Sequence, residues 1–106
     1  MVNQYDVYWV NLDPTVGKEI TKTRPCVVIS PNELNKGLGT VLISPLTSTI
    51  KSYPFRSLCT INDKLGAIAL DQTRCVDKSR LFKKLGKLKK SEIHELKSTL
   101  HEMLIK

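Results

Sequence analysis

The sequence predicts a small, mainly β-barrel fold closed by one C-terminal α-helix. Three observations lead there. Short β-prone segments recur at close spacing, separated by proline, glycine and asparagine. The apolar period switches from strand-like to helix-like after Ser91. The chain has 106 residues, enough for one core and one domain, residues 1–106.

The first strand is read in "QYDVYWVNL" (4–12), which mixes aromatic and β-branched residues with polar ones. "DPTVGKEITKT" (13–23) follows as a polar loop opened by Asp13-Pro14. It is longer than the usual hairpin connection of about 2–5 residues, which marks it as functional. "CVVIS" (26–30) is a second strand, "PNELNKGLG" (31–39) a connection, and "TVLISPL" (40–46) a third strand stopped at Pro45. After the polar loop 47–54 come "FRSLCTI" (55–61), the turn "NDKLG", and the strands "AIAL" (67–70) and "TRCV" (73–76). From Ser91, which is suited to cap a helix, Ile93, Leu96, Leu100, Met103 and Leu104 share one helical face. Glu92 suits the first turn. His94 and His101 are read as helix-surface residues.

Net charge is +7 and lies entirely in the second half. In residues 1–50, Lys18, Lys22, Arg24 and Lys36 balance Asp6, Asp13, Glu19 and Glu33. "KSRLFKKLGKLKK" (78–90) holds seven basic residues and no acid. A basic face of this kind suits a polyanion: RNA, DNA or an acidic protein segment. It also suits plain solvation. No apolar run is long enough to span a bilayer, and "MVNQYDVYWV" carries no basic n-region or cleavage site, so a cytoplasmic protein is expected. Cys26, Cys59 and Cys75 are odd in number, lack a C-x-x-C pair and lie among apolar or β-prone residues. Reduced, buried thiols are predicted, with no metal site.

Arg24 precedes Pro25 at the mouth of the most apolar segment. Proline belongs at a strand start or edge, and it holds the preceding residue extended. Arg24 therefore leaves the barrel end in a restricted direction. "SPLTS" repeats the device, with Thr47 and Ser48 hydroxyls following Pro45. A guanidinium fork with hydroxyl donors is a sensible phosphate cradle. The plainer alternatives are an ion pair of Arg24 with Glu19 or Asp71, and a turn hydroxyl at Thr47 that bonds its own backbone.

The blocks "RPCVVISP", "SPLTS" and "DQTRCVD", in this order from about Asp6 to Leu81, resemble the MazF/PemK family of toxin endoribonucleases. The resemblance implies an SH3-like β-barrel with a C-terminal helix and short connecting helices, usually a homodimer. It implies a toxin of a type II toxin–antitoxin system that cuts single-stranded RNA at specific sequences without a metal or other cofactor. The ribose 2′-hydroxyl would attack the adjacent phosphorus, leaving a 2′,3′-cyclic phosphate and a 5′-hydroxyl. Arg24 and Thr47 match the family's functional pair. Glu19, Ser48, Asp71, Gln72 and Arg74 match positions suited to RNA contact. A cognate antitoxin with an acidic, disordered tail is the implied protein partner.

The chain departs from one branch of that family, which uses an arginine two positions before the "DQ" aspartate and a histidine in the first long loop. Here Ala69 stands at the first position and residues 13–23 hold no histidine. Asp71 is left between a structural and an RNA-positioning role. Tyr53 and Phe55 are aromatics in the right region to stack on bases. Two other functions fit the fold: a gyrase-poisoning toxin of the CcdB type, which gains nothing from Arg24 or "PLTS", and a nucleic-acid-binding module without catalysis.

Overall fold

The computed structural model describes residues 1–14, 16–19, 22–49 and 54–105. Seven strands form the body: β1 (Asp6–Asn11), β2 (Thr23–Val28), β3 (Thr40–Thr47), β4 (Arg56–Ile61), β5 (Lys64–Ala69), β6 (Arg74–Asp77) and β7 (Leu81–Lys87). Helix α1 (Asn32–Gly37) joins β2 to β3, and α2 (Lys90–Leu104) ends the chain. Neighbouring strands run in the order β4-β5-β3-β2-β1-β7, with β6 also on β3 and all pairs antiparallel. β4 and β7, the two ends of this path, touch, so the sheet curls into a small barrel, and α2 packs on β4. No described helix is long and apolar enough to cross a membrane.

The core forms two clusters. One joins Val7, Val27, Leu46, Ile68 and Leu70 to Leu96 of α2. The other gathers Val10, Leu12, Val28, Val41 and Ile43 on the opposite face, so that Val27 and its neighbour Val28 fall in different clusters. Alternation sends successive side chains to opposite faces, and both faces are covered where Cys26, Val27 and Val28 are buried in a row.

β3 organises the barrel because it changes partners along its length. Thr40–Ile43 pair with β6, Ile43–Pro45 with β2, and Leu46–Thr47 with β5. The expectation that Pro45 stops this strand is therefore corrected: the strand runs through it and bends. The β4–β5 hairpin turns on Asn62 and Asp63, both at positive φ (51° and 63°), the two-residue geometry whose twist matches its flanking strands. Beside it, Gly66 gives Leu46 room, since a Cβ there would come within 3.1 Å of Leu46 Cδ2.

Other expectations also change. Residues 31–39, read as a connection, contain α1, one of the short connecting helices that the resemblance implies. Buried Asn35 anchors it: Asn35 Nδ2 donates to the Ser30 carbonyl at 2.9 Å, and Lys78 Nζ donates to the Asn35 carbonyl. The basic run read only as a charged face contains β7, whose lysines face solvent and hide the alternation. Cys75 is exposed, while Cys26 and Cys59 are buried. Ser91 does not cap α2. Glu92 reaches back instead, Oε1 accepting the Lys89 amide at 2.8 Å and Oε2 the Thr60 amide at 2.7 Å. Ile93, Leu96, Leu100 and Met103 pack on the core as expected, but Leu104 is exposed. His94 and His101 lie on the surface.

Candidate nucleic-acid interface

β2 and β3 part at their two prolines. Their ladder includes Cys26 opposite Pro45. Beyond that pair Arg24 stays with β1, opposite Val10, while Leu46 and Thr47 go to β5, opposite Ile68 and Ala67. Pro25 and Pro45 have no N–H and cannot donate to a ladder, which favours separation at this point. Arg24 and Thr47 each lie two residues beyond the Cys26–Pro45 pair, at the same end of the sheet.

The gap is a cleft of about 560 Å³. Arg24, Thr47 and Ser48 all line it, so the structure brings together three of the residues chosen from sequence. Thr47 Oγ1 accepts the Thr49 amide at 3.2 Å. This is the turn bond expected of a plain structural threonine, yet it uses only the oxygen. Among the described residues the hydroxyl proton has no acceptor, and it suits one placed in the cleft.

Sequence reasoning missed much of the rest of the wall. Lys22 comes from the end of the long loop, Asn62 and Lys64 from the β4–β5 hairpin, and Trp9 and Lys83 from β1 and β7. With Arg24 the cleft therefore carries four cationic side chains among the described residues. The basic run signalled Lys83 in general terms. Nothing local marks Lys22 or Lys64, because the barrel's curl is what brings them together.

Four sequence-chosen residues are not part of this wall. Glu19 lies exposed in the long loop, its Oε1 accepting the Val16 amide at 2.8 Å. Arg74 Nη1 donates to the Leu12 carbonyl at 3.1 Å, and Arg80 donates to the carbonyls of Asn11 and Asp13, so both arginines fasten the exit of β1. Asp71 is held by Arg56, with Nε to Oδ1 at 3.1 Å and Nη2 to Oδ2 at 3.2 Å. Burial pushes the Asp71 carboxyl up, but bonds from Arg56, its own backbone amide and Gln72, together with the Arg56 charge, hold it below the usual carboxylate range. The turn carrying Asp71 and Gln72 is pinned to β3. Thr73 Oγ1 donates to the Leu70 carbonyl at 2.7 Å, which leaves Ser44 as donor in the 2.5 Å Ser44–Thr73 bond. Phe55 is half-buried at φ 62° and outside the cleft wall, while Tyr53 lies outside the described residues.

Comparison with known proteins fits this arrangement. Residues 3–104 match the family model described as PemK-like, MazF-like toxin of type II toxin–antitoxin system. The chain belongs to this toxin family. The Escherichia coli (strain K12) endoribonuclease toxin MazF is 31% identical over 98% of this chain and 99% of its own length. A crystal structure of MazF from Deinococcus radiodurans superposes with a TM-score of 0.86 at 27% identity, over 99% of this chain and 97% of that one. A MazE–MazF structure from the same organism gives 0.78 at 25% identity, over 97% and 94%. The shared fold is the mainly β sheet with a C-terminal helix expected from sequence.

Proposed function

We propose that this MazF-type toxin endoribonuclease threads single-stranded RNA through the Arg24–Thr47 cleft and cuts it by internal transesterification. The observation that carries the proposal is the shared cleft: a guanidinium and a hydroxyl, from β2 and β3, line one space with Lys22, Lys64 and Lys83.

The 2′-oxygen bonds to the adjacent phosphorus as its proton passes to water, the bond from phosphorus to the 5′-oxygen breaks, and that oxygen takes up a proton from water. The products are a 2′,3′-cyclic phosphate and a 5′-hydroxyl. RNA supplies the nucleophile, so the protein has to align the attack and stabilise the extra negative charge on the phosphoryl oxygens. Arg24 clamps the non-bridging oxygens. Its pKa, above about 12 for an ordinary arginine, suits a fixed positive charge better than a proton relay. Thr47 donates a hydrogen bond from its hydroxyl to the same phosphoryl group, and Ser48 adds a second hydroxyl at the rim. No step requires a metal. Glu19, Asp71, Gln72 and Arg74 act by shaping the loop and turn beside the channel.

The lysine-ringed cleft also suits the acidic, disordered tail of a cognate antitoxin, which would block RNA by occupying the same space. The MazE–MazF complex of the Deinococcus radiodurans relative supports an antitoxin partner. A homodimer acting on mRNA in the cytoplasm completes the proposal. Sedimentation showing a concentration-independent monomer would refute the dimer.

The test is incubation of purified protein with a long defined RNA in EDTA, followed by end mapping. Cuts at a recurring short sequence with cyclic-phosphate and 5′-hydroxyl ends are expected. Salt-sensitive binding without cleavage would show a binding module instead, and trapped gyrase–DNA complexes in expressing cells would favour the gyrase-poisoning alternative.

A further inference from the structure

Trp9 is the chain's one tryptophan, and it does not join the core. Its neighbour Tyr8 packs against one apolar cluster, whereas Trp9 belongs to neither. It stands half-exposed on the wall of the Arg24–Thr47 cleft. In the ladders it is opposite Pro25 of β2 and Lys83 of β7. Directly paired residues of antiparallel strands project from the same face, so the indole has a rigid proline on one side and a lysine on the other. Both line the same cleft. Among the described residues the indole N–H has no hydrogen-bond partner. A large apolar ring left out of the core, set opposite a rigid proline and beside a cationic groove, has the form of a stacking platform.

We infer that Trp9 binds one unpaired nucleobase of the RNA face to face, next to the phosphate held by Arg24 and Thr47. The ligand is a purine or pyrimidine ring with its attached phosphate, which Lys83 neutralises. The platform positions a nucleotide beside the scissile bond. Stacking accepts any base by its π-face, while the indole N–H offers one directional contact to a ring or exocyclic acceptor. The inference rests on the RNA reading above and goes beyond it by placing a base-binding subsite.

Because Trp9 is alone, intrinsic tryptophan emission reports it without labelling. The probe is a 2′-O-methylated oligonucleotide carrying the cleavage sequence mapped as above. An end-labelled copy gives binding independently by fluorescence anisotropy. Saturable quenching of the emission that tracks the anisotropy curve is expected. An abasic oligomer of equal length, which keeps the phosphates and lacks bases, should leave the emission unchanged. Trp9→Leu should weaken oligonucleotide binding at least about tenfold, with Trp9→Phe restoring most of it. Binding by anisotropy with unaltered emission, or equal quenching by the abasic oligomer, overturns the platform and leaves the RNA reading standing. Absence of both binding and cleavage overturns the RNA reading, and the subsite with it. The quenching arm uses wild-type protein, so a misfolded variant does not decide the outcome.

Discussion

Arg56 grips Asp71 with two parallel hydrogen bonds, from β4 to the turn that follows β5, at 3.1 and 3.2 Å. An acid that the sequence offers as a partner for Arg24 or for RNA is thereby tied to another strand. Arg56 is mostly covered and Asp71 is 39% exposed, so solvent weakens the pair.

Asp71→Asn should therefore cost about 0.5–1 kcal/mol of stability at neutral pH, measured by urea denaturation. The native carboxyl titrates below its ordinary value of about 3.9. A lowered native pKa gives stability that is complete above the unfolded pKa and lost as pH falls through the native one. The gap between wild type and Asp71→Asn should close in acid below the ordinary aspartate value. A gap that stays constant with pH would contradict the pairing.

Glu92 uses both carboxylate oxygens, one on the Lys89 amide and one on the Thr60 amide, and so ties the start of α2 to β4. Glu92→Ala should cost about 1–2 kcal/mol. Glu92→Gln has a single acceptor oxygen and should fall between wild type and alanine. Equal urea midpoints for all three proteins would remove this role.

The cysteines should separate by reactivity. Burial pushes the Cys26 thiol up to about 12, the charges of Arg74 and Arg24 lowering it only in part. Burial and the Glu92 carboxylate push Cys59 to about 12. At pH 8 neither offers appreciable thiolate, whereas Cys75 is exposed. A disulfide reagent should modify one thiol in native protein and three in urea. Rapid native modification at Cys26 or Cys59 would contradict their burial.

Lys22, Arg24, Lys64 and Lys83 together predict a steep salt dependence for RNA binding. Four phosphate contacts give a slope of log K against log salt of about −3 for single strands. Replacing Lys64 and Lys83 by Gln should make that slope shallower by roughly 1.4 and leave the melting temperature nearly unchanged. An unchanged slope would place the RNA elsewhere.

Much of this was readable in the sequence, for identifiable reasons. β1 to β4 and β6 carry β-branched or aromatic residues and are bounded by turn chemistry, so their presence showed even where their ends did not, whereas β5 (KLGAIA) showed only in its apolar second half. Pro45 misled because a proline usually ends a strand, and here the strand bends and changes partners. β7 was hidden by Lys83, Lys84 and Lys87, which face solvent on a strand joined to β1 through two irregularities. Arg24, Thr47 and Ser48 could be chosen because each follows or precedes a proline in a recognisable block. Trp9, Lys64 and Lys83 could not, since their proximity arises only when the sheet curls. Arg74 looked available for RNA, but the exit of β1 needs a donor for the Leu12 carbonyl.

The most direct test of the Arg24–Thr47 phosphate clamp is single-turnover cleavage of a short RNA containing the mapped site, with protein in excess. Arg24→Ala should slow the chemical step on the order of 10³-fold, and Thr47→Val about 10²-fold, with both variants folded by circular dichroism. Wild-type cleavage rates in a folded Arg24→Ala protein would contradict it.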